Sequence, residues 1–303
     1  MSVITDIKRL IKSPLLIVPY LGRKRLLNFM TDELYLKLTY RARMGKSLNL
    51  NNPELFSEKL QYMKLYNRNP EYTKLVDKLK VREFIRKEIG SSYLVPLLGV
   101  WDRFEDINFE KLPNKFVLKT THGSGGVVIC SDKNKFNMER AKSNLNKSLN
   151  ENYFYVGREW PYKNVQPRII CEEFIETENS NLPDDYKFFC FNGRVDNIMI
   201  ATDRNVDEGK AKFYFFDPDW NLLRYNETGV NAPKDFSLPR PENLNKMIKV
   251  AEKLSENLPF ARIDLYNENS KVYFGEVTFF PGGGMDPNLT DDADIIFGEK
   301  LKL

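Results

Sequence analysis

The sequence has few cysteines, and their distribution excludes a disulfide framework. The chain of 303 residues contains three, far apart, and each lies within an apolar run. A buried, reduced side chain suits such positions, so we expect neither disulfides nor a cysteine metal site. These residues are Cys130, Cys171 and Cys190.

Long apolar runs are also missing. A helix that spans a bilayer needs about 20 apolar residues, whereas the apolar stretch near the N-terminus covers only residues 14–20. No signal-peptide pattern is visible, so we expect a cytoplasmic protein. Basic residues flank the stretch, which permits weak association with the inner face of an anionic membrane or, alternatively, a solvated end that docks a few apolar side chains. They are Lys8, Arg9, Lys12, Arg23, Lys24 and Arg25.

The chain has little net charge and no repeated or low-complexity tract. Lys and Arg exceed Asp and Glu by only four, and the two signs are interspersed. This balance gives no reason to expect a nucleic-acid partner. Hydrophobic residues make up 42% and charged residues 29%, which is typical of a folded globular protein.

The periodicity of apolar residues changes along the chain. Up to about residue 90 they recur at helical spacing, and from Tyr93 short apolar runs alternate with turn residues. Asn192-Gly193 is a strong hairpin signal. We therefore predict an α+β protein with a largely antiparallel sheet. The predicted strands are 93–101, 115–119, 127–130, 168–175, 186–191, 194–202, 212–216, 261–266 and 271–277, and helices are predicted at 138–149 and 241–258.

A glycine-rich loop follows the strand that ends at Lys119. Its small residues allow backbone amides to approach an anion, and the lysine adds a positive charge. The spacing differs from a Walker loop, because the lysine precedes the glycines and a strand follows. A phosphate site is one interpretation, and an ordinary turn is the other. The loop residues are His122, Gly123, Ser124, Gly125 and Gly126.

Two neighbouring strands near the C-terminus carry charged residues at alternating positions. Arg262 and Asp264 lie on the first strand, and Glu276 and Thr278 lie on the second. Alternation places the four on one face if the hairpin register allows. Two carboxylates and an arginine among apolar residues fit magnesium carried by a polyphosphate. A structural ion pair is the alternative.

The order of these motifs resembles the ATP-grasp superfamily. An apolar strand that ends in two acids, Glu172 and Glu173, lies between the glycine loop and the Arg-Ile-Asp strand, and a Pro-Gly sequence follows Glu276. From about Asp32 onward, the chain is similar to the TupA-like family of teichuronopeptide biosynthesis. The motifs that carry this resemblance are Phe56-Ser-Glu-Lys-Leu60, Asp77-Lys-Leu-Lys-Val-Arg-Glu83, Phe116-Val-Leu-Lys-Thr-Thr-His-Gly123 and Asp185-Tyr-Lys-Phe-Phe-Cys-Phe-Asn-Gly193.

The resemblance implies an ATP-grasp fold, in which two α+β subdomains hold ATP between them. It implies an α-rich region at 1–92, a small subdomain with the glycine loop at 93–176, and a large subdomain with the magnesium and phosphate site at 177–303. Lys78 and Lys119 would contact the phosphates beneath the glycine loop. The residues expected to border the adenine are Glu172, Glu173, Phe174 and Ile175.

The remaining implied roles fall on the large subdomain. Asp185 is a candidate for the ribose, and Lys187 for the phosphates or the adenine. Arg262 would face the transferred phosphoryl group, with Lys119 and Lys187 assisting. Asp264, Glu276 and Thr278 would hold Mg²⁺. Thr278 stands where many ATP-grasp ligases have asparagine, so the resemblance supports nucleotide binding more strongly than a second metal position.

The reaction implied by the resemblance joins a carboxylate to an amine through an acyl-phosphate. The expected substrates are a uronic acid of a cell-surface polysaccharide or its precursor, and an amino acid or peptide. Arg158, Arg168, Arg194 and Arg204 are candidates for binding an acidic substrate, and Trp101, Trp160 and Trp220 for stacking on sugars.

Three other functions remain open at this point. A glycosyltransferase would use Asp217-Pro-Asp219 to bind a metal nucleotide-sugar, although a β-turn explains the same residues. A sugar kinase would share the nucleotide site. A regulator that binds ATP without turnover is the third, suggested by Thr278.

Overall fold

The helices of the first ninety residues form an α-rich layer, as predicted. The computed structural model describes residues 17–177, 182–203 and 211–303, so Lys8, Arg9, Lys12 and Arg204 lie outside the described residues. The helices are α1 (Ile17–Arg23), α2 (Asp32–Met44), α3 (Phe56–Tyr66), α4 (Glu71–Val76) and α5 (Val81–Glu88). Thr31 caps α2, because its hydroxyl accepts a hydrogen bond from the Leu34 amide.

A four-stranded antiparallel sheet follows, in the spatial order β1-β4-β2-β3. Helix α6 (Met138–Asn150) packs against β2 and β3, and the short helix α7 (Phe154–Gly157) follows it. The sheet and α6 enclose a separate core that includes Phe116, Leu118 and Leu145. The strands are β1 (Leu97–Trp101), β2 (Phe116–Thr120), β3 (Val127–Cys130) and β4 (Ile169–Glu173).

The second sheet has six antiparallel strands in the order β10-β9-β5-β6-β7-β8. Helix α8 (Glu227–Val230) precedes helix α9 (Leu244–Ser255), which contacts β5, β6 and β9. The two sheets and their antiparallel pairing confirm the predicted fold class. The strands are β5 (Asp185–Phe191), β6 (Arg194–Thr202), β7 (Lys212–Phe216), β8 (Leu222–Leu223), β9 (Phe260–Glu268) and β10 (Lys271–Thr278).

The C-terminal helix α10 (Asp291–Lys300) was not among the predicted elements. Its start has a local signal, since Thr290 caps it and acidic residues occupy its first turn. Phe297 on α10 is fully buried and contacts the rings of Phe56 and Phe189. This helix therefore joins α3 to the six-stranded sheet. Within the described residues, none of the helices is both long and apolar enough to cross a membrane.

The division into segments 1–92, 93–176 and 177–303 stays a prediction. The four-stranded sheet falls within the second range and the six-stranded sheet within the third. The predicted helix at 241–258 is shorter in the structure, where α9 covers Leu244–Ser255. The strands predicted at 127–130, 194–202 and 212–216 have the same bounds in the structure.

Candidate functional site

The two sheets face each other across a cleft that contains two adjoining cavities. The inner one is the smaller of the two. Lys119 and Glu172 line both, so the cavities are parts of one site. The inner cavity is bounded by Lys78, Arg82, Leu94, Lys119, Ile170, Glu172, Phe274 and Gly275.

Strands β2 and β3 contribute to one wall of this cleft, and the glycine loop connects them. Lys119 pairs with Val127 in the β2–β3 hairpin, which confirms the predicted connection. A side chain on Gly126 could not fit, because a Cβ atom there would lie 2.0 Å from the Thr120 hydroxyl. Gly125 has a φ of 92°, a conformation that favours glycine. The loop therefore needs glycine at both positions, whatever ligand it meets.

Lys78 connects the glycine loop to the opposite wall. Its backbone amide donates to the Thr121 carbonyl, and its Nζ donates to the Gly123 carbonyl at 2.8 Å. The same Nζ lies 3.8 Å from the Glu276 carboxylate on β10. The structure thus brings the first predicted lysine next to both the loop and a predicted metal ligand.

Glu172 is clamped between two cations at the end of β4. Its Oε2 accepts from Lys119 Nζ at 2.7 Å, and its Oε1 accepts from Arg82 at 2.7 Å. Arg82 also donates to the Val95 carbonyl. Both Arg82 and Glu172 are buried, so each charge depends on its partner. Arg82 had no predicted role, although it belongs to the motif that begins at Asp77.

The β9–β10 hairpin assembles the second charged group. The register places Asp264 opposite Glu276 and Arg262 opposite Thr278, after an irregularity at Gly275. Arg262 donates twice to the Asp264 carboxylate, at 2.7 Å each, and also to Glu276 at 3.3 Å and Thr278 at 3.1 Å. The predicted shared face therefore exists, and the guanidinium touches all three predicted metal ligands.

Lys187 on β5 extends this group toward the outer cavity. Its Nζ donates to Asp264 at 2.6 Å and to Asp185 at 2.5 Å. Burial would lower the pKa of Lys187, but the carboxylates of Asp185 and Asp264 raise it above the ordinary value. Lys187 therefore carries its charge in the cleft.

The charge of Glu276 depends on the cations around it. Burial alone would raise its pKa, but Lys78, Arg262, Lys187 and Lys119 together hold the pKa at about 2. Such a carboxylate is ionised at any physiological pH. The hairpin thus presents a permanent negative charge beside four positive ones.

The hairpin oxygens fit a magnesium ion that arrives with a polyphosphate. Asp264, Glu276 and Thr278 supply only oxygen atoms, which is the donor set that Mg²⁺ prefers. Across the described ranges, no cluster of three or more His, Cys, Asp or Glu residues could hold a metal. Arg262 already forms ion pairs with two of these side chains, Asp264 and Glu276. The predicted ion would therefore need phosphate oxygens to complete its coordination.

The residues predicted to border adenine line the outer cavity. Glu172, Glu173, Phe174 and Ile175 form part of its wall, and Tyr266 closes it from β9. Asp185 pairs with Tyr266 in the sheet, so the predicted ribose candidate lies beside the same cavity. The remaining wall residues are apolar or belong to β2 and β3, and they include Val95, Val117, Val127, Ile129, Leu182 and Pro183.

His122 makes local contacts. Its buried ring bonds through Nε2 to the carbonyl oxygens of Ser148, at 3.0 Å, and Glu151, at 2.9 Å. These bonds tie the loop to the end of α6, while Ser124 and Gly125 are at the exposed loop tip. The ring makes local hydrogen bonds, which was the alternative interpretation. Contact between His122 and a phosphate stays a prediction.

Three of the four arginines proposed for an acidic substrate have partners, and Arg204 lies outside the described residues. Arg158 is buried, where it lies over the Tyr35 ring and pairs with Asp32. Arg168 pairs with Asp102, and Arg194 with Glu252. These contacts account for the positions of the three arginine side chains without a bound ligand.

The tryptophans and the Asp-Pro-Asp sequence also have structural explanations. Trp160 and Trp220 are buried, and the Trp220 indole donates to the Leu238 carbonyl. Asp217 forms the turn between β7 and β8, because its carboxylate accepts from the Asn221 backbone and side chain. The turn interpretation is therefore the one that the contacts support.

A family model gives the strongest comparison. The model for TupA-like ATP-grasp proteins matches residues 58–302, which is most of the chain. The match and the two-sheet cleft define the protein as an ATP-grasp protein. Within that class, the chain belongs to the TupA-like ATP-grasp family. A comparison with curated proteins gives no match.

Solved structures with similar backbones include ATP-grasp ligases. D-alanine–D-alanine ligase from Bacillus anthracis, complexed with ATP, has 16% identity and a TM-score of 0.45 over 75% of this chain. The alignment spans 65% of that ligase, just under two thirds of its length. D-cycloserine synthetase DcsG has 14% identity and a TM-score of 0.45, with coverage of 81% of this chain and 77% of its own. The substrates that these two names indicate belong to those proteins and are not assigned to this chain.

The buried ring of His122 predicts a pH effect on stability. Burial lowers its pKa below the ordinary 6.5, although the carbonyls of Glu151 and Ser148 oppose the shift. As pH falls through about 6.5, the unfolded chain takes up this proton before the folded protein does, so the free energy of unfolding decreases. Urea unfolding at about pH 7.5 and about pH 5.5 measures the loss.

His122→Gln is the matched variant, since it keeps an N–H donor and removes the titration. We expect the wild type to lose more stability than this variant over the same pH range. Equal losses in the two proteins would show that the His122 ring does not contribute.

Proposed function

We propose that this ATP-grasp enzyme is a carboxylate–amine ligase that uses ATP and Mg²⁺. The observation that supports it most strongly is the charge arrangement in the cleft. Lys119 comes from the four-stranded sheet, Lys187 and Arg262 come from the six-stranded sheet, and Lys78 comes from the segment between α4 and α5. Each of these four cations contacts a carboxylate. Buried charges are costly unless they are paired, and Mg·ATP offers partners of both signs.

The nucleotide would lie across the two cavities. The adenine would occupy the outer cavity, where Glu173, Phe174 and Ile175 form the wall. The triphosphate would extend under the glycine loop toward Lys78 and Lys119, which both line the inner cavity. Backbone amides of a glycine-rich loop and lysine side chains are suitable partners for phosphate oxygens.

Binding would exchange ion pairs inside the protein for ion pairs with the ligand. Lys119 would leave Glu172 for a phosphate, while Arg82 would keep Glu172 paired. Asp264, Glu276 and Thr278 would hold Mg²⁺. When bound there, the metal would neutralise charge on the phosphates during transfer.

The reaction needs no nucleophile from the protein. A carboxylate oxygen of the substrate attacks the γ-phosphorus, and ADP leaves with the electrons of the broken P–O bond. Arg262, Lys119 and Lys187 stabilise the negative charge that develops on the phosphoryl oxygens. An amine then attacks the acyl carbon of the acyl-phosphate, inorganic phosphate leaves, and an amide forms after loss of a proton.

The substrate classes follow from the TupA-like family. A uronic acid of a cell-surface polysaccharide, or of its precursor, would supply the carboxylate, and an amino acid or peptide would supply the amine. A cytoplasmic location would give the enzyme ATP and the precursors together. These assignments are proposals about this chain.

Two substitutions separate nucleotide binding from turnover. Lys119→Met removes a charge that contacts a phosphate, so we expect the Kd of Mg·ATP to rise about tenfold. Glu276→Gln removes a predicted metal ligand, so binding of the nucleotide should largely remain while ADP release with both substrates falls by about two orders of magnitude. Isothermal titration and coupled ADP assays measure the two effects.

Lys111→Met is the control for charge, since Lys111 is exposed in the turn before β2. It should match the wild type in both assays. If Lys119→Met and Glu276→Gln bind and turn over like the wild type, the charged cleft is not the nucleotide site.

Hydroxylamine tests the reaction class. If a carboxylate is phosphorylated first, hydroxylamine should capture the acyl-phosphate and give a hydroxamate that requires ATP, Mg²⁺ and the carboxylate. We would screen glucuronate and galacturonate derivatives, free and as oligosaccharides, by following ADP and product mass.

Each alternative gives a different result in the same screen. A product heavier by a phosphate, without hydroxamate, would identify a kinase. Sugar transfer from a nucleotide sugar without ADP would identify a glycosyltransferase. Nucleotide binding without ADP release, with all acceptors tested, would identify a regulator.

The surface near the start of the described residues supports weak association with an anionic membrane. Tyr20, Leu26 and Phe29 are exposed, at 59%, 62% and 81% of their maximal areas. Residues 23–25 beside them are basic and exposed, and residues 7–31 contain no acid. Aromatic and basic side chains together suit the interface of an anionic bilayer.

Vesicle sedimentation tests this association. The protein should pellet with vesicles of mixed anionic and neutral phospholipid, and less with neutral vesicles. Leu26→Ser with Phe29→Ser should reduce the pelleted fraction several-fold, whereas Val230→Ser, which changes an exposed apolar residue elsewhere, should not. Equal pelleting of all three proteins, or no pelleting, would exclude the association.

A further inference from the structure

The four-stranded sheet has a regular edge that the rest of the fold leaves open. Its strand order makes β1 and β3 the edges, and the larger sheet ends at β10 and β8. The pairing of β1 and of β10 is interrupted by a shift in register, and β8 is only two residues long. Irregular and very short edge strands discourage pairing with another chain. Of these four edges in the described sheets, β3 is the one whose pairing is regular over its whole length.

The sequence of β3 also lacks the residues that usually protect an edge. Natural edge strands commonly carry lysine, proline or a bulge. The four residues Val127–Cys130 include neither a charged residue nor a proline. Val127 is 44% exposed. An apolar, regular and exposed edge of this kind is a template for another strand.

Two residues of β3 point their main-chain groups away from β2. The Thr120 amide donates to the Gly126 carbonyl at 2.8 Å, so Gly126 belongs to a hydrogen-bonded pair. Hydrogen-bonded and non-bonded pairs alternate along an antiparallel ladder. Val128 is therefore bonded to β2, whereas Val127 and Ile129 present their amides and carbonyls to the free side. Among residues 17–177, 182–203 and 211–303, no strand pairs with that side.

A groove runs along the free side of β3. The first half of helix α6 contributes to its other wall through Asn137, Arg140 and Asn144. The groove is larger than either cavity of the cleft. It also adjoins the cleft, since Val127 and Ile129 line both the groove and the outer cavity. We call this space the edge groove.

The edge groove carries unpaired positive charge. Lys135 and Arg140 line it, are exposed, and form no ion pair with the described residues. Asp132 is the acid among its lining residues, and the Asp132 carboxylate already accepts from the Asn134 amide at 3.0 Å. The lining is therefore basic, and carboxylates of a ligand would pair with it.

We propose that the free edge of β3 binds an extended acidic peptide segment of a partner protein, which adds a fifth strand to the four-stranded sheet. Main-chain hydrogen bonds to Val127 and Ile129 hold the segment, and Lys135 and Arg140 pair with its carboxylates. The inference concerns a partner and not a substrate, so it does not depend on the reaction proposed above.

Two other occupants fit the edge groove less well. A second copy of this chain, paired edge to edge, would bring its own Lys135 and Arg140 towards the same two cations, and like charges repel. An acidic polysaccharide would meet the cations, but it has no series of amides and carbonyls to pair with a strand. An acidic peptide uses both the free main-chain groups and the charge.

Fluorescence anisotropy with a synthetic peptide tests the proposal. The probe is a fluorescein-labelled peptide of about eight residues in which glutamate and valine alternate, because pairing at an edge reads the main chain. We expect saturable binding, with a Kd at least about tenfold higher when lysine replaces glutamate. N-methylation of the central amides keeps every charge but removes the donors, so it should raise the Kd by a similar factor.

Two variants locate the peptide on the protein. Arg140→Glu should raise the Kd about tenfold, whereas Lys147→Glu, which changes an exposed residue of α6 outside the edge groove, should not. Ile129→Pro removes one outward amide at a position where an edge strand accepts proline, and it should also weaken binding. Its Tm and Mg·ADP binding are measured first, because Ile129 lines the outer cavity, and Arg140→Glu keeps the test valid if Ile129→Pro unfolds.

Each other outcome overturns the proposal. Absence of saturable binding, or equal binding of the N-methylated peptide, would show that β3 accepts no added strand. Equal competition by an oligogalacturonate would show that the edge groove recognises charge alone. A dimer in sedimentation that Ile129→Pro dissociates would assign the edge to a second copy. These measurements need no turnover, so failure of the ligase reaction would leave them unaffected.

Discussion

Glu172 is paired on both of its carboxylate oxygens, and the cleft is organised around that arrangement. Arg82 holds it from α5 and Lys119 from β2, so three separate elements meet at one buried charge. Removing one partner of such a group leaves an uncompensated charge, which typically costs about 3–5 kcal/mol. The two cations differ in exposure, since Arg82 is more deeply buried than Lys119. Arg82 therefore serves as the permanent partner, and Lys119 is the one that a phosphate could take.

The same principle governs the opposite wall. Arg262 and Lys187 both contact Asp264, which is itself almost completely buried. The pairing of β5 with β9 places Lys187 opposite Asp264, and both strands belong to the large sheet that packs on an apolar core. Buried charges are costly unless they are paired, so a ligand that brings charges of both signs fits this wall. Stability and binding therefore depend on the same contacts.

The N-terminal helices contribute to the cleft as well as to the fold. Lys64 on α3 binds the carbonyl oxygens of Gly157 and Gly283, and thus joins the end of the small α7 helix to the segment after β10. Phe56 on the same helix packs against Phe297 of α10 and Phe260 of β9. Arg82 on α5 reaches the cleft itself, where it pairs with Glu172.

Local patterns in the sequence are sufficient to predict most of the strands, the hairpins that join them and the two charged motifs. Alternation along β9 and β10 predicts that Arg262, Asp264, Glu276 and Thr278 share a face, because side chains in a strand alternate with a period of two. The glycine loop after Lys119 and the adenine wall at residues 172–175 are likewise recognisable from neighbouring residues, since each is one strand and its turn. The predicted roles of these residues remain predictions, but their positions in the cleft follow from short-range rules.

Tertiary structure alone decided which distant charges meet. Nothing local indicates that Arg82 would pair with Glu172, 90 positions further along the chain, or that Lys78 would lie 3.8 Å from Glu276. Likewise, only the fold shows that Arg158 lies over the Tyr35 ring, and that the His122 ring bonds to carbonyl oxygens at the end of α6 and just after it. A side chain's partners depend on how whole elements pack, and packing is determined by the summed burial of many apolar residues. The sequence around a single charge therefore predicts its chemistry, whereas the folded chain determines its partner.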